Sequence, residues 1–449
     1  MSDNSKTTIE NKSQLIEYFI DGIKKNHNQR IGVEHEKFLF NRHDLKRIDY
    51  KQLKQVFEIL KDKGWEPEYE KDKIIGLKRE NQRITTEPGY QYELSGAPFK
   101  NIHSVCSENS SHFNELKEVF SSTSITTSSI AYDPFNKLIN IPVSPKERYK
   151  IMTSEMPKGG KLSLDMMYKT AGIQINYDYT SEEDFEKKFK IGNYLAPLTI
   201  ALFANSPFNE NKFSGFLSYR GKVWQATNRG GIMPITFEKI NFEKYIDHVI
   251  NYPILFLKKK GKYYSPNGQT FNDFLNGNLN FLKGQKPTLE DFESHLGTIF
   301  TEIRLKQVIE FRSLDTCNFG CICNGPSFFT GLIYGALDET YEIIENWKKE
   351  EVMEAYLNAP KQGLNTLFNN KKLIDWGKIF LDLSKRGLEK RNELNKSGKN
   401  ETIYLKHIEE IIKNKKTRAE MLVEQFNKTK NLKFLLNHEE NFSYSGFWS

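Results

Sequence analysis

The sequence predicts an α+β fold in one domain, and three observations carry that reading. Stretches at 30–42, 76–98, 121–133, 170–178 and 302–315 read as strands, several with strict alternation of apolar and polar residues. One of them doubles back through Glu87-Pro88-Gly89, where Pro followed by Gly favours a tight turn. From Pro326 onward the pattern is helical with short breaks, over 327–349, 374–395, 401–415 and 417–428. Strands followed by such a run set an α-rich flank, about 327–435, against a sheet. With no repeats, low-complexity blocks or linkers, the expected organisation is a disordered 1–11 and a single domain over 12–449.

Composition narrows the function classes. A chain of 449 residues with 38% hydrophobic and 27% charged content can bury a large core. The net charge of +7 can attract anionic small molecules, but it lacks the clustered excess of a nucleic-acid binder. Four cysteines argue against a secreted disulfide scaffold and for a reducing compartment. Cys317, Cys321 and Cys323 sit together without zinc-site spacing. No run approaches the ~20 apolar residues of a membrane span. The polar opening MSDNSKTTIENKSQ reads as neither secretory signal nor Arg-rich transit peptide. The expectation is a cytoplasmic protein, monomeric or homodimeric, with no nucleic-acid and no membrane partner.

In chain order, Ser13 caps a first amphipathic helix, LIEYFIDGIKK. The strand RIGVEHEKFLFNR sets Glu34 and Glu36 on one face, ~6.5–7 Å apart, and Val33, His35 and Lys37 on the other. Two anions buried side by side are costly unless a cation joins them. A helix over Tyr50–Lys63 ends at Gly64. In 76–98, Gln91, Glu93 and Ser95 share a face, which brings Glu93 and Glu87 to one region near Lys78 and Arg79. Facing carboxylates require a divalent cation or a shared proton. An exposed edge strand with solvated acids would give the same pattern.

The helix at 99–120 carries Cys106 and His112, which read as packing and surface residues. Arg148 opens a short helix that Gly159-Gly160 breaks. TAGIQINYD places Gln174, Asn176 and Asp178 together, either as an inner hydrogen-bonding face or as the solvent side of an antiparallel sheet. Residues 181–204 read as one helix, capped by Ser181 and kinked at Pro197. The segment 205–234 reads as a long loop, with Arg220 and Arg229 as carboxylate or phosphate clamps or as surface charge. Two helices and a hairpin at Lys260-Gly261 follow. In EIRLKQVIEFRSLD, a regular strand would align Arg304, Lys306, Glu310 and Arg312, and a bend near Lys306–Gln307 is the alternative.

Acids at 34, 36, 87, 93 and 310, with bases at 78, 148, 220, 304 and 312, thus come from strands far apart in the chain. Such a set suits ATP-dependent ligation, in which acids hold cations on a triphosphate and arginines take the acceptor carboxylate and the phosphoryl group. Neither GxxxxGK[ST] nor a strand-borne GxGxxG is present.

The residues IGVEHEKFLF (31–40), GLKRENQRITTEPGYQYELSGAP (76–98), PKERYKIM (145–152), LDMMYKTAGIQINYD (164–178), GFLSYRGKVW (215–224) and HLGTIFTEIRLKQVIEFRSLD (295–315) resemble, in this order, the plant and proteobacterial type of glutamate–cysteine ligase. The resemblance implies a glutamine-synthetase-like fold, a curved antiparallel sheet forming an active-site funnel with helices outside. It implies joining of L-glutamate, through its γ-phosphate, to the amine of L-cysteine, with ATP and Mg²⁺ as cofactors. Glu34, Glu36, Glu87, Glu93 and Glu310 match the family's magnesium-binding acids. Arg148, Arg220 and Trp224 match substrate-holding residues, with Gln174 and Asn176 on the matching inner strand. Arg312, with Glu93, matches the catalytic set, and Lys78 and Arg304 fall where nucleotide contacts are expected. Where the family has an aspartate-rich loop before Arg-Thr-Gly, this chain has QATNRGGIMP. The cysteine cluster matches only at Cys323, and no disulfides are predicted.

Overall fold

The computed structural model describes residues 7–436, and its centre is a sheet of nine strands. The strands are β1 (Ile31–Asn41), β2 (Glu66–Glu70), β3 (Lys73–Arg79), β4 (Gln82–Thr86), β5 (Tyr92–Ser95), β6 (Ile125–Ser128), β7 (Gly172–Tyr177), β8 (Ile303–Leu305) and β9 (Ile309–Asp315). Their spatial order is β8-β9-β7-β1-β5-β4-β3-β2, with β6 on the far half of β1, and every pairing is antiparallel. The α+β expectation holds.

Register decides which side chains share a face. Glu34 lies opposite both Ser95 and Gln174, and Glu36 lies opposite Glu93. Glu310 lies opposite Asn176 on one side and Arg304 on the other. Because directly opposed residues point the same way, all of these side chains project from one face of the sheet. The alternate residues Val33, Leu94, Ile84, Leu77, Ile173 and Ile175 build the core on the other face. There they meet α2 (Tyr50–Lys61; α1 being Lys12–Ile20) and α3 (Ile102–Ser122) through Leu53, Phe57, Phe113 and Leu116. The C-terminal helices cover the rest of that layer, and Tyr177 ties them to the sheet by donating to the Pro326 carbonyl at 2.9 Å.

Several boundaries differ from expectation. Residues 7–11 are ordered: Ile9 is fully buried and its N–H donates to the Pro287 carbonyl at 2.8 Å. Residues 1–6 of the expected disordered segment, and 437–449, lie outside the described residues. The 181–204 helix is two helices, Glu182–Tyr194 and Ala196–Leu202, because Pro197 starts a new first turn rather than kinking a continuous one. The segment 238–300 holds three helices instead of two. Residues 302–315 take the bent alternative and form the β8–β9 hairpin. Finally, all four cysteines are paired, Cys106 with Cys323 and Cys317 with Cys321, where none was expected to be. The first pair is 217 residues apart in sequence, a proximity that only the packing of α3 behind the sheet creates. No described helix is long and apolar enough to cross a membrane.

Candidate active site

The inner face of the sheet is roofed by the helix α4 (Glu147–Glu155), by Phe256 and by the segment 294–300. Between roof and sheet lies a cavity of about 260 Å³ into which Glu34, Glu36, Glu87, Glu93, Arg148, Gln174, Arg304 and Arg312 all open. Thus four of the five distant acids and three of the five distant bases open into one cavity, while Glu310, Arg220 and Lys78 do not line it. A larger cavity of about 520 Å³ lies beyond the C-terminal end of α4, but its lining brings no comparable set of acids together.

Each acid has a reason for its position. Gln174 donates to Glu36 Oε1 at 2.8 Å, and the Gly172 N–H donates to Glu36 Oε2 at 2.7 Å. Asn176 donates to Glu34 Oε1 at 2.9 Å. Ser95 donates to Glu93 Oε1 at 2.7 Å. So Gln174 and Asn176, expected to bind substrate, hold the carboxylates of the neighbouring strand in this structure. Glu87 sits in the β4–β5 turn, whose left-handed position is Tyr90 (φ 59°) and not Gly89. Gly89 is needed for a different reason: a β-carbon there would stand 2.5 Å from the Tyr168 carbonyl oxygen. The turn is braced from α4, since Lys146 Nζ and Tyr149 Oη both donate to the Thr86 carbonyl at 2.9 Å. Lys146 was not anticipated, because nothing in PKERYK distinguishes a bracing lysine from a surface one.

The electrostatics of these acids split into two groups. Burial, and then the charges of neighbouring acids, raises Glu34 and drives Glu93 well above the usual carboxylate range. Glu36 is pushed up to about 7 by burial and by Glu87. Glu310 is the opposite case. Burial opposes its charge, yet Arg304, Lys306 and Arg312 together hold it well below the usual range. Arg304 grips it with two nitrogens, Nε and Nη2, each at 2.9 Å. Arg312 Nη1 also contacts it, and Lys306 stands 3.4 Å away. Glu310, expected as a metal ligand, is thus held in this structure by three cations of the protein. The β8–β9 hairpin places Arg304 directly across from Glu310, so its oxygens are satisfied by cations of the protein.

Among the described residues no three His, Cys, Asp or Glu side chains stand together as a preformed metal cluster. The remaining acids, Glu34, Glu36, Glu87 and Glu93, nevertheless fit magnesium by donor type: all are oxygen ligands, as a hard divalent cation requires. Three of them resist ionising unless positive charge is supplied.

The region of Arg220 and Trp224 is organised by a helix that sequence reading missed. Within the expected loop, α7 (Tyr219–Gln225; α5 and α6 being Glu182–Tyr194 and Ala196–Leu202) is capped by Ser218, which accepts from the Gly221 N–H at 3.0 Å. Asp315, at the end of β9, accepts from Ser218 Oγ at 3.1 Å and from Ser206 Oγ at 2.7 Å, fixing the helix to the sheet. One turn of helix separates Arg220 from Trp224, which places the guanidinium 5.0 Å from the indole centre. Arg312 approaches the same ring at 5.3 Å. Arg220 Nε, Arg312 Nε and Trp224 Nε1 are all buried without a partner. Three unfilled donors around one ring are expensive in isolation and suit the oxygens of a carboxylate or phosphate.

Two expected residues stand elsewhere. Lys78 is on the inner face, in line with Arg83, Ser95 and Glu34 across the sheet, but it is three strands away from Glu34. Its side chain is 56% exposed, pairs with Glu66 and does not line the cavity. Arg229 donates to the carbonyls of Thr298 and Pro253, each at 2.8 Å, and to Thr298 Oγ1 at 2.9 Å, so it fastens the roof, and it lines the larger cavity, not the acidic one.

A profile of the glutamate-cysteine ligase family 2 matches residues 30–438, which contains every cavity residue named above. The chain belongs to this family. It is 39% identical to the chloroplastic glutamate–cysteine ligase of Solanum lycopersicum, over 92% of this chain and 79% of the relative. It is equally close to the chloroplastic enzyme of Arabidopsis thaliana, over 93% of this chain and 80% of the relative. Among solved structures, the glutamate–cysteine ligase of Francisella tularensis in complex with AMP superposes with a TM-score of 0.57 at 12% identity, covering 94% and 90% of the two chains, a likeness of fold. The cytoplasmic expectation is corrected by these relatives, whose names place them in the chloroplast.

Proposed function

We propose that the acidic cavity is the active site of an ATP-dependent ligase that joins the γ-carboxylate of L-glutamate to the amine of L-cysteine, the first step of glutathione synthesis. The observation that carries this is the convergence, on one sheet face, of four unneutralised carboxylates with Arg148, Arg304 and Arg312. Membership of the family supports the choice of amino-acid substrates, and the fold-level neighbour's complex with AMP supports a nucleotide.

In this reading Glu34, Glu36, Glu87 and Glu93 would hold magnesium, which when bound screens the triphosphate and polarises the transferred phosphoryl group. Gln174, Asn176, Ser95 and the Gly172 N–H keep those acids pointed inward before any ligand arrives, so no reorganisation is needed at that moment. Arg220 and Arg148 take the carboxylates of the amino-acid substrate. A planar guanidinium seated on Trp224 offers them a fixed fork. Arg312, balanced between Glu310 and Trp224, meets the charge that develops as the phosphoryl group passes from ATP to the γ-carboxylate. Arg304 acts one step back, holding Glu310 and through it Arg312. The roof of Tyr149, Met152, Phe256 and Phe300 excludes water, which would otherwise hydrolyse an acyl phosphate before the amine attacks it.

The test is phosphate release from ATP with glutamate and a panel of amine acceptors, with and without magnesium. Cysteine-dependent, magnesium-dependent release is the expected result. A ligase that ignores cysteine in favour of another amine would keep the chemistry and remove the acceptor assignment. No magnesium-dependent turnover would remove both.

A further inference from the structure

Glycine inside a strand costs stability, because it has more backbone freedom to lose and no side chain to pack. A strand glycine therefore marks a place where another group comes close to the backbone. Gly172 opens β7, and its φ lies outside the left-handed region, so the backbone itself does not demand glycine. A β-carbon at this position would stand 2.6 Å from Arg220 Nη2, 3.1 Å from Arg220 Cζ and 3.1 Å from the Leu314 carbonyl oxygen. The empty space beside Gly172 is thus the seat of the Arg220 guanidinium.

That guanidinium has little room to yield. Its Nη2 donates to the Arg312 carbonyl at 2.9 Å, Asp315 faces Nη1 at 3.7 Å, and Trp224 lies against its plane. Gly172 itself donates its backbone N–H to Glu36 Oε2 at 2.7 Å. One backbone unit therefore meets an acid of the cation-holding set and the arginine of the substrate set.

We infer that Gly172 is a positioning residue for the amino-acid substrate: it fixes the spacing between Glu36 and Arg220, and any side chain there displaces the arginine from its seat. The inference rests on the reading of Arg220 as a carboxylate-binding residue. Because the strand backbone accepts alanine, Gly172→Ala perturbs the seat and leaves the Gly172–Glu36 hydrogen bond available.

The experiment is steady-state kinetics on the full chain for Gly172→Ala, Arg220→Lys and the double variant, varying glutamate and ATP separately. Gly172→Ala is expected to raise KM for glutamate by roughly tenfold or more and KM for ATP by less than about twofold. The double variant is expected to be no worse than the poorer single variant, because both act through one contact. An unchanged glutamate KM in Gly172→Ala, alongside a raised one in Arg220→Lys, would overturn the inference while leaving Arg220 in its role. An unchanged glutamate KM in Arg220→Lys would remove the role of Arg220 and the inference with it. If Gly172→Ala alone fails to fold, the double variant decides: a slimmer lysine should restore soluble, folded protein, and failure to do so overturns the claim that the guanidinium is what glycine accommodates.

Discussion

Replacing Glu36 with glutamine separates a strained functional acid from a structural one, because the two roles predict opposite signs. Burial and the neighbouring Glu87 push Glu36 up to about 7 from its ordinary value of about 4.5. That gap corresponds to roughly 3 kcal/mol of resistance to ionisation in the metal-free protein. The folded state therefore holds this proton more tightly than the unfolded chain does. The stabilisation this gives is fully present below about pH 4.5 and is lost as pH rises through about 7. Glutamine carries no charge at either end of that range. It can also keep the Gly172 hydrogen bond and donate to Gln174 Oε1, a buried acceptor that now has no partner. Urea unfolding in the presence of a chelator should thus find Glu36→Gln more stable than the parent by roughly 1–3 kcal/mol at pH 8 and nearly equal at pH 5. Adding magnesium should stabilise the parent at pH 8 and the variant much less. A variant that is less stable than the parent without metal, or that gains as much from magnesium, would refute the reasoning.

Glu93→Gln should leave the fold intact by circular dichroism and cut turnover by about a hundredfold or more, since an oxygen ligand of the cation set is lost; a variant with near-normal turnover would take Glu93 out of that set. Lys78→Ala should change KM for ATP by less than about twofold, because the side chain is exposed and paired with Glu66; a large rise would bring the rim of the sheet into the nucleotide site. Removing the Cys106–Cys323 bond by a double serine substitution should lower stability by about 2–4 kcal/mol, as expected for a cross-link closing a long loop, measured by urea unfolding; an unchanged midpoint would make the bond dispensable.

Much of the site was legible because β-strands translate sequence parity directly into facing. Glu34 with Glu36, and Glu93 with Ser95, followed from alternation alone, and the register brought the two pairs together. What alternation cannot supply is the partner of each strand. The sequence reading sets Glu310 beside Arg312 as an acid for metal, and only the β8–β9 hairpin reveals that Arg304 lies across from it and grips its oxygens. Helix α7 escaped notice because its seven residues hold too few turns for a helical period to show. The cysteine pairs were invisible for a similar reason: a contact between residues 217 apart leaves no local trace. Among the roof residues, Tyr149, Met152 and Phe300 fall in stretches that carry the resemblance and Phe256 does not, but no local pattern marks any of them as roof; packing sets that role.

The central claim is that carboxylates from two separate strands and a turn meet to hold divalent cations over the inner face of the sheet. Crystals grown with manganese and a non-hydrolysable ATP analogue test it most directly, through the anomalous signal of the bound ion. The account predicts peaks within coordination distance of oxygens from Glu34, Glu36, Glu87 and Glu93. Peaks confined to other carboxylates, or a nucleotide bound outside this cavity, would contradict it.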